Sequence, residues 1–426
     1  NNMKQRVVIT GMGVCAPNGV GLDAFKKAIQ EGVSGITYHS VLKDLQFSCQ
    51  VGGIPSISEE KKRSYFSELQ LRNFNASGIM YGVISGIDAL KDASLFIENQ
   101  EVTTNYDLGV IFGVATSGVE KFRESIYKID QGNVRRLGST AVAQTMTSGV
   151  SAYLSGMIGA GNQVTSNSSA CATGTEAILM GYERIAHGHA KQVLCGSTGE
   201  DGPYTWGGFD AMKVITYKHN DTPEEASRPM SATASGFVPG SGAGALLLET
   251  LESAQARGAK IYAEVLGGEI NSGGQRNGGT MTAPNNEAVQ RCITKALVNA
   301  NITAKEIDYI NGHLTATVKD PVEINNWVQA LDRRGDDFPY INSLKGMTGH
   351  CLAASGSIES VATVLQMYHG FVFPNSNCED IHPDILANIS EASIPRTLLK
   401  TTIKTAVKAS FGFGDVNACI IFKAYK

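Results

Sequence analysis

The sequence predicts an α/β protein built as a duplication, with its sheets covered by helices. Three observations carry this. Apolar strands alternate with helical segments along the whole chain. Both halves run strand, helix, strand, reactive residue, helix, strand. The first half holds a cysteine at a strand-to-helix junction, and the second holds two histidines in polar loops after strands.

In the first half, residues 1–255, Val7-Val-Ile-Thr-Gly opens a strand and Gly21–Gln30 reads as a helix. Asp107–Val114 is a buried strand, Cys171 heads a helix, and Gln192–Gly196 is another strand. The helix after Cys171 shows its apolar stripe at Ala177, Ile178, Met180, Gly181 and Ile185. In the second half, residues 256–426, Ile261–Gly267 is a strand and Asn286–Asn299 a helix. Ile307–Asn311 is a strand, His350 opens the helix Ala353–Tyr368, and Thr405–Ser410 is the last strand of the pattern. Strands apolar on both faces need helices on both sides. The repeated order predicts that reactive groups of the two halves meet near a pseudo-twofold axis.

Composition narrows the function. The chain of 426 residues is 42% hydrophobic and 18% charged, as expected of a well-packed enzyme. Its net charge of -4 argues against general nucleic-acid binding. No apolar run approaches the roughly 18 residues that span a bilayer, and the N-terminus leads into a strand with no signal-peptide core. The cysteines at 15, 49, 171, 195, 292, 351, 378 and 419 form no CxxC pair and no zinc spacing, which fits a reducing cytoplasm. Gly11-Met-Gly13 lacks the third glycine and the acidic partner of a nicotinamide site. Gly240-Ser-Gly242-Ala-Gly244 suits close backbone packing rather than phosphate binding.

Cys171 lies in Val164-Thr-Ser-Asn-Ser-Ser-Ala-Cys-Ala-Thr-Gly, with a helix following. A helix N-terminus favours thiolate, and the thiolate is the nucleophile; the competing reading is a small buried core cysteine. His313 follows Ile307-Asp-Tyr-Ile-Asn-Gly, and His350 follows Tyr340-Ile-Asn-Ser-Leu-Lys345-Gly-Met-Thr-Gly. Loops after strands are where active-site groups gather in α/β proteins.

In order along the chain stand Val7-Val-Ile-Thr-Gly-Met-Gly, Ser169-Ala-Cys-Ala-Thr-Gly, Gly236-Phe-Val-Pro-Gly-Ser-Gly-Ala-Gly, Asn342-Ser-Leu-Lys-Gly-Met-Thr-Gly-His and Ser410-Phe-Gly-Phe-Gly-Asp-Val-Asn. With these, essentially the whole chain resembles the β-ketoacyl-acyl-carrier-protein synthases, most closely the type II elongating branch of the thiolase superfamily. The resemblance implies a duplicated five-layer αβαβα fold with two mixed sheets, its halves at 1–255 and 256–426. It implies decarboxylative condensation of acyl-ACP with malonyl-ACP. Cys171 would carry the acyl chain as a thioester, and His313 and His350 would promote decarboxylation and stabilise the enolate. Lys345 would support His350 and the charge balance, with Glu359 nearby. The backbone N–H groups of Cys171 and Phe413 would form an oxyanion hole. Phe413, between Gly412 and Gly414, would gate the acyl pocket, and Thr315 and Thr317 would bind the phosphopantetheine arm. That arm arrives on acyl carrier protein, so no metal or redox cofactor is expected. Arg72, Arg135 and Arg136 match positions where the family places residues facing the carrier protein; Lys61-Lys-Arg63 and Lys213 are weaker candidates. A homodimer is expected, or a heterodimer with a protein like a chain-length factor.

The chain departs from the family pattern in four places. Leu314 replaces a glycine in His313-Leu-Thr-Ala-Thr, and Asp415 replaces a glycine after Gly414. Ser231-Ala-Thr-Ala-Ser235 stands where the family has an Asp/Arg-rich loop. Gly273-Gly-Gln-Arg-Asn-Gly-Gly279 is similar to synthases of polyene-pigment pathways. Together they predict a specialised acyl preference, with unsaturated or aryl-primed chains favoured. A thiolase-like acyl-CoA enzyme would need a second cysteine in the C-terminal Gly-rich loop, where Phe413 stands instead. A non-catalytic partner subunit would lack the nucleophile.

Overall fold

In a computed structural model, residues 3–274 and 281–425 are described. Ten strands form the frame: β1 (Val7–Ala16), β2 (Leu108–Gly113), β3 (Val164–Thr165), β4 (Gln192–Gly199) and β5 (Gly242–Thr250), then β6 (Ala263–Ser272), β7 (Tyr309–Asn311), β8 (Tyr340–Asn342), β9 (Thr405–Gly412) and β10 (Val416–Lys423). Five helices matter most: α1 (Ser77–Asp92), α2 (Thr173–Ala186), α3 (Asn286–Asn299), α4 (Asp320–Leu331) and α5 (Ser355–His369).

The strand order is β8-β7-β9-β10-β6-β1-β5-β4-β2-β3. The first half is therefore 3-2-4-5-1 and the second 8-7-9-10-6. Both halves pair the first two contacts from the outer edge in parallel and the last two antiparallel. This is the duplication expected from the sequence. The two five-stranded units also join edge to edge, where β1 meets β6 at Val7, Val8 and Ile9.

Successive side chains of the strands face different cores. On β5, Leu246 and Leu248 face the middle of the molecule and Leu247 faces outward; on β10, Ile420 and Phe422 face the middle and Ile421 outward. The middle core holds α2 and α5 between the two sheet units. One outer core packs α1 on the first unit, and the other packs α3 and α4 on the second. The result is five layers, helix–sheet–helix–sheet–helix. A smaller cluster around Trp206, Phe237 and Leu352 covers one end of the molecule.

The predicted helix Asn286–Asn299 has those bounds in the structure, with Asn285 accepting the Ala288 N–H as its cap. Helix α1 had no sequence signal. Gly82 and Gly86 explain why: they lower helix propensity but let α1 lie directly on its neighbours, since a Cβ at Gly82 would stand 2.5 Å from Val150. All eight cysteines are free and buried. Among the described residues no helix is long and apolar enough to cross a membrane. Residues 275–280 of the Gly-rich segment lie outside the described residues.

Candidate active site

Cys171 sits between β3 and α2, in a tight turn at Ala170–Ala172. Ala170 adopts a left-handed backbone conformation (φ 52°). Thr173 locks the turn: its Oγ1 accepts the Ser169 N–H at 2.9 Å and donates to the Ala170 carbonyl at 2.6 Å. Asn167 fastens the preceding loop through Glu176 at 2.8 Å. The turn presents the thiol at the start of α2, and the Phe413 turn approaches it from β9. Glycine at 412 suits this approach, because a Cβ would crowd the Cys171 nitrogen at 3.0 Å.

The thiol corrects one expectation. Burial pushes it up to about 11; the Lys345 charge and the N–H groups of Phe413 and Cys171 act in the opposite direction without prevailing. The resting group is therefore a thiol, despite its place at a helix start. The same two N–H groups lie close enough to the sulfur to oppose that rise.

His313 and His350 face each other edge-on, with ring centroids 5.6 Å apart. They line, with Cys171, Phe411, Gly412 and Phe413, a cavity of about 390 Å³. His350 Nδ1 accepts the Leu352 N–H at 3.0 Å and contacts Ser355 Oγ at 3.1 Å. An amide N–H needs a lone pair, so the neutral His350 ring carries its proton on Nε2. Burial, then the charge of Lys345, pushes both imidazoles well below the usual histidine range. Both are neutral at pH 7 and suited to donate a hydrogen bond rather than to carry charge. His313 Nδ1 is buried with no hydrogen-bond partner among the described residues.

The His313 loop is held by charge on both sides. Glu323 on α4 accepts the N–H groups of His313 at 3.0 Å and Leu314 at 2.7 Å, and also the Trp327 indole. Asp320 accepts the Thr315 and Ala316 N–H groups and that of Met230. Leu314 takes a left-handed φ of 26°, a conformation that suits glycine. Its buried side chain and the Ser343 hydroxyl bonded to its carbonyl at 2.8 Å hold it there. The loop thus turns where the family has glycine, by packing instead of backbone freedom.

Lys345 is fully buried and donates to both oxygens of Glu359, at 3.0 and 2.9 Å, and to the His313 carbonyl at 2.7 Å. Its hydrogen bond to the histidine loops is to the His313 carbonyl, while its charge acts on both His313 and His350. Lys408 on β9, also fully buried, binds Glu359 as well and reaches the Gly312 carbonyl at 3.4 Å. The sequence reading missed Lys408, Asp320 and Glu323. The signal available was a lysine inside an apolar strand, and two acids in one helix turn just after the His313 loop.

Thr315 and Thr317 line the cavity with their hydroxyls 3.0 Å apart. Gly414 and Asp415 brace the Phe413 turn. The Gly414 N–H bonds to the Met281 carbonyl at 3.1 Å, and Asp415 accepts the Asn285 N–H at 3.1 Å. Phe413 also packs on Phe209, 5.8 Å between centroids. Arg72, Arg135 and Arg136 are exposed and outside the cavity. Their segments are fastened to one helix, Val119–Asp130: Lys121 binds the Asn73 carbonyl and Lys128 the Arg136 carbonyl. Cys419 faces the outer core on β10 and does not line the cavity. The second reactive cysteine of a thiolase is thus missing from the site among the described residues.

The chain matches the family models of the beta-ketoacyl synthase N-terminal domain over residues 4–254 and C-terminal domain over residues 262–379. It is 32% identical over 424 residues to 3-oxoacyl-[acyl-carrier-protein] synthase 2 of Vibrio harveyi, covering 99% of each chain. It is 33% identical over 429 residues to 3-oxoacyl-[acyl-carrier-protein] synthase 1 of Escherichia coli (strain K12), covering 99% of this chain and 100% of the relative. A beta-ketoacyl synthase structure from Burkholderia phymatum STM815 superimposes with a TM-score of 0.88 at 27% identity, over 99% of this chain and 100% of that one. A type II polyketide ketosynthase, solved with its acyl-carrier protein and bound to a hexaketide, gives 0.86 at 29% identity, again over 99% and 100%. The five layers, the duplicated sheet and these matches make the chain a member of the beta-ketoacyl synthase family, a condensing acyltransferase of thiolase-like fold.

Proposed function

We propose that the chain condenses acyl-ACP with malonyl-ACP, and that residues 1–255 and 256–426 are the two copies of the duplicated unit that meet at this reaction. One observation carries the reading: a thiol, two neutral imidazoles and two converging backbone N–H groups share one cavity. In loading, Cys171 sulfur attacks the acyl thioester, the thiol proton passes to the departing pantetheine sulfur, and the acyl chain stays on Cys171. In condensation, the malonyl C–C bond to the carboxylate breaks and carbon dioxide leaves. The electron pair moves into the thioester enolate, whose oxygen accepts hydrogen bonds from His313 and His350. The enolate carbon attacks the Cys171 thioester, and the Cys171 sulfur leaves as thiolate and takes a proton from water. The Phe413 and Cys171 N–H groups hold the oxyanion of that step.

In this reading Thr315 and Thr317 bind the pantetheine arm, Phe413 gates the acyl pocket, and no metal or redox cofactor takes part. The protein works in the cytoplasm as a homodimer. Arg72, Arg135 and Arg136 receive the acidic carrier protein, since a chain of net charge -4 needs a local basic patch for it. Reversing the charge of Arg135 and Arg136 is expected to weaken turnover with carrier-bound substrate and flatten its salt dependence. Turnover of small acyl-pantetheine substrates is expected to survive. Equal loss with both substrates would make the patch structural.

A specialised substrate is the second reading, favoured by Asp415, which lines the cavity; pairing with a subunit like a chain-length factor belongs to it. Incubation with malonyl-ACP and equal-length saturated or polyenoyl acyl-ACP tests both. Products two carbons longer support condensation. The ratio of kcat/KM values is expected to favour polyenoyl chains, by an amount worth about 1–3 kcal/mol in the pocket. A preference for saturated chains would return the protein to ordinary elongation.

A further inference from the structure

The cluster behind the imidazoles holds a second ammonium beside an ion pair. Glu359 is a single carboxylate, 2% exposed, with two fully buried ammonium groups on it. Burying a second ammonium is costly, and Glu323 is the other acid within electrostatic reach of both lysines. The arrangement makes contact with consecutive peptide groups of the loop that carries His313: Lys408 reaches the Gly312 carbonyl, and Lys345 binds the His313 carbonyl. Glu323 holds the N–H groups of the same loop from the other side.

Resting on the condensation reading, we propose that Lys408 is a positioning residue for decarboxylation: it holds the Gly312 carbonyl directly and the His313 carbonyl through Glu359 and Lys345, and its ammonium charge favours the enolate.

Neutral imidazoles donate hydrogen bonds but bring no charge to the enolate. The second ammonium supplies it from behind, in a medium where charge is weakly screened. Burial, working against Glu359, brings Lys408 down to about 8. It is charged at neutral pH and loses its charge as pH rises through that value, so a step that needs the charge slows on the alkaline side. The ionisable groups around it are Glu359 on α5, Lys345, Glu323 on α4, His313, His350 and Cys419 on β10. The imidazoles lie well below the usual histidine range and Cys419 well above the usual thiol range, so neither titrates there. Asp320, at about 7, lies on the acid side.

The test uses the full chain with Cys171→Gln, which removes the thiol's own titration, and follows carbon dioxide release from malonyl-ACP. Adding Lys408→Met keeps the Lys345–Glu359 pair and replaces a buried charge by an apolar chain of similar length. Release at pH 7 is expected to fall about 10–100-fold, the usual result of loosening a group that orients the reacting ones. Cys171 loading in the single Lys408→Met variant is expected to stay within about twofold, because its geometry does not run through Lys408. From about pH 6.5 to about pH 9.5, Cys171→Gln should show an alkaline fall near the Lys408 value that disappears in the double variant. Unchanged release, or loading and release falling together with Tm, would overturn the inference. Where Lys408→Met does not fold, Lys408→Gln takes its place, and the absence of an alkaline fall in Cys171→Gln alone overturns it. No release by Cys171→Gln at all would overturn the condensation reading first, and this inference with it.

Discussion

Replacing Cys171 by Ala is expected to abolish the covalent acyl-enzyme and reduce condensation to background. No other thiol can substitute. Cys351 and Cys419 are buried, with thiols pushed upward by burial, and neither lines the cavity. Cys171 alone combines the cavity, the helix start and two converging N–H groups. Intact-protein mass after incubation with acyl-ACP gives the answer: the wild-type chain gains one acyl group and Cys171→Ala gains none. Cys171→Gln is expected to behave differently. Its amide carbonyl can occupy the oxyanion hole as the loaded thioester does, so malonyl decarboxylation continues without condensation. An acylated Cys171→Ala protein would move the nucleophile elsewhere.

Replacing His313 or His350 by Ala is expected to leave loading measurable and to lower decarboxylation about 10²–10³-fold, the cost of removing one preorganised oxyanion donor. The two variants test different supports. His350 is fixed in its Nε2–H form by Leu352 and Ser355. His313 is placed by backbone contacts to Glu323 and Lys345 rather than by a partner on Nδ1. A pH profile adds a check on sign. Both imidazoles are held neutral, so the decarboxylation rate is expected to show no acid limb at the ordinary histidine value. Labelled carbon dioxide released from malonyl-ACP at the wild-type rate by both variants would remove the histidines from the chemistry.

The fold was legible in the chain because each half repeats the same alternation of apolar strands and helices. What the sequence could not show was tertiary. Helix α1 hides behind Gly78, Gly82 and Gly86, which lower local helix propensity and are justified only by what they touch. The junction of β1 with β6 depends on three residue pairs that no local pattern marks. In the site, Cys171, His313 and His350 stood out because each sits in a polar, small-residue loop beside a strand. The thiol's resting state did not follow, because the helix start and burial act with opposite signs and burial wins. The hydrogen bond of Lys345 to the His313 carbonyl did not follow from the sequence, because the two histidine loops meet only in the fold. Lys408 was missed because a lone lysine in a strand reads as a solvated edge, whereas β9 is flanked by strands on both sides and that side chain faces Glu359.

The most direct test is a chase of the loaded enzyme. The wild-type chain is first incubated with acyl-ACP, freed of carrier protein, and the adduct mapped by peptide mass spectrometry. Malonyl-ACP is then added. The account predicts that the acyl group sits on the peptide containing Cys171, leaves it on addition of malonyl-ACP, and reappears as 3-oxoacyl-ACP two carbons longer with release of carbon dioxide. An acyl group that stays on Cys171 in the presence of malonyl-ACP, or a product formed with no Cys171 adduct, would contradict it.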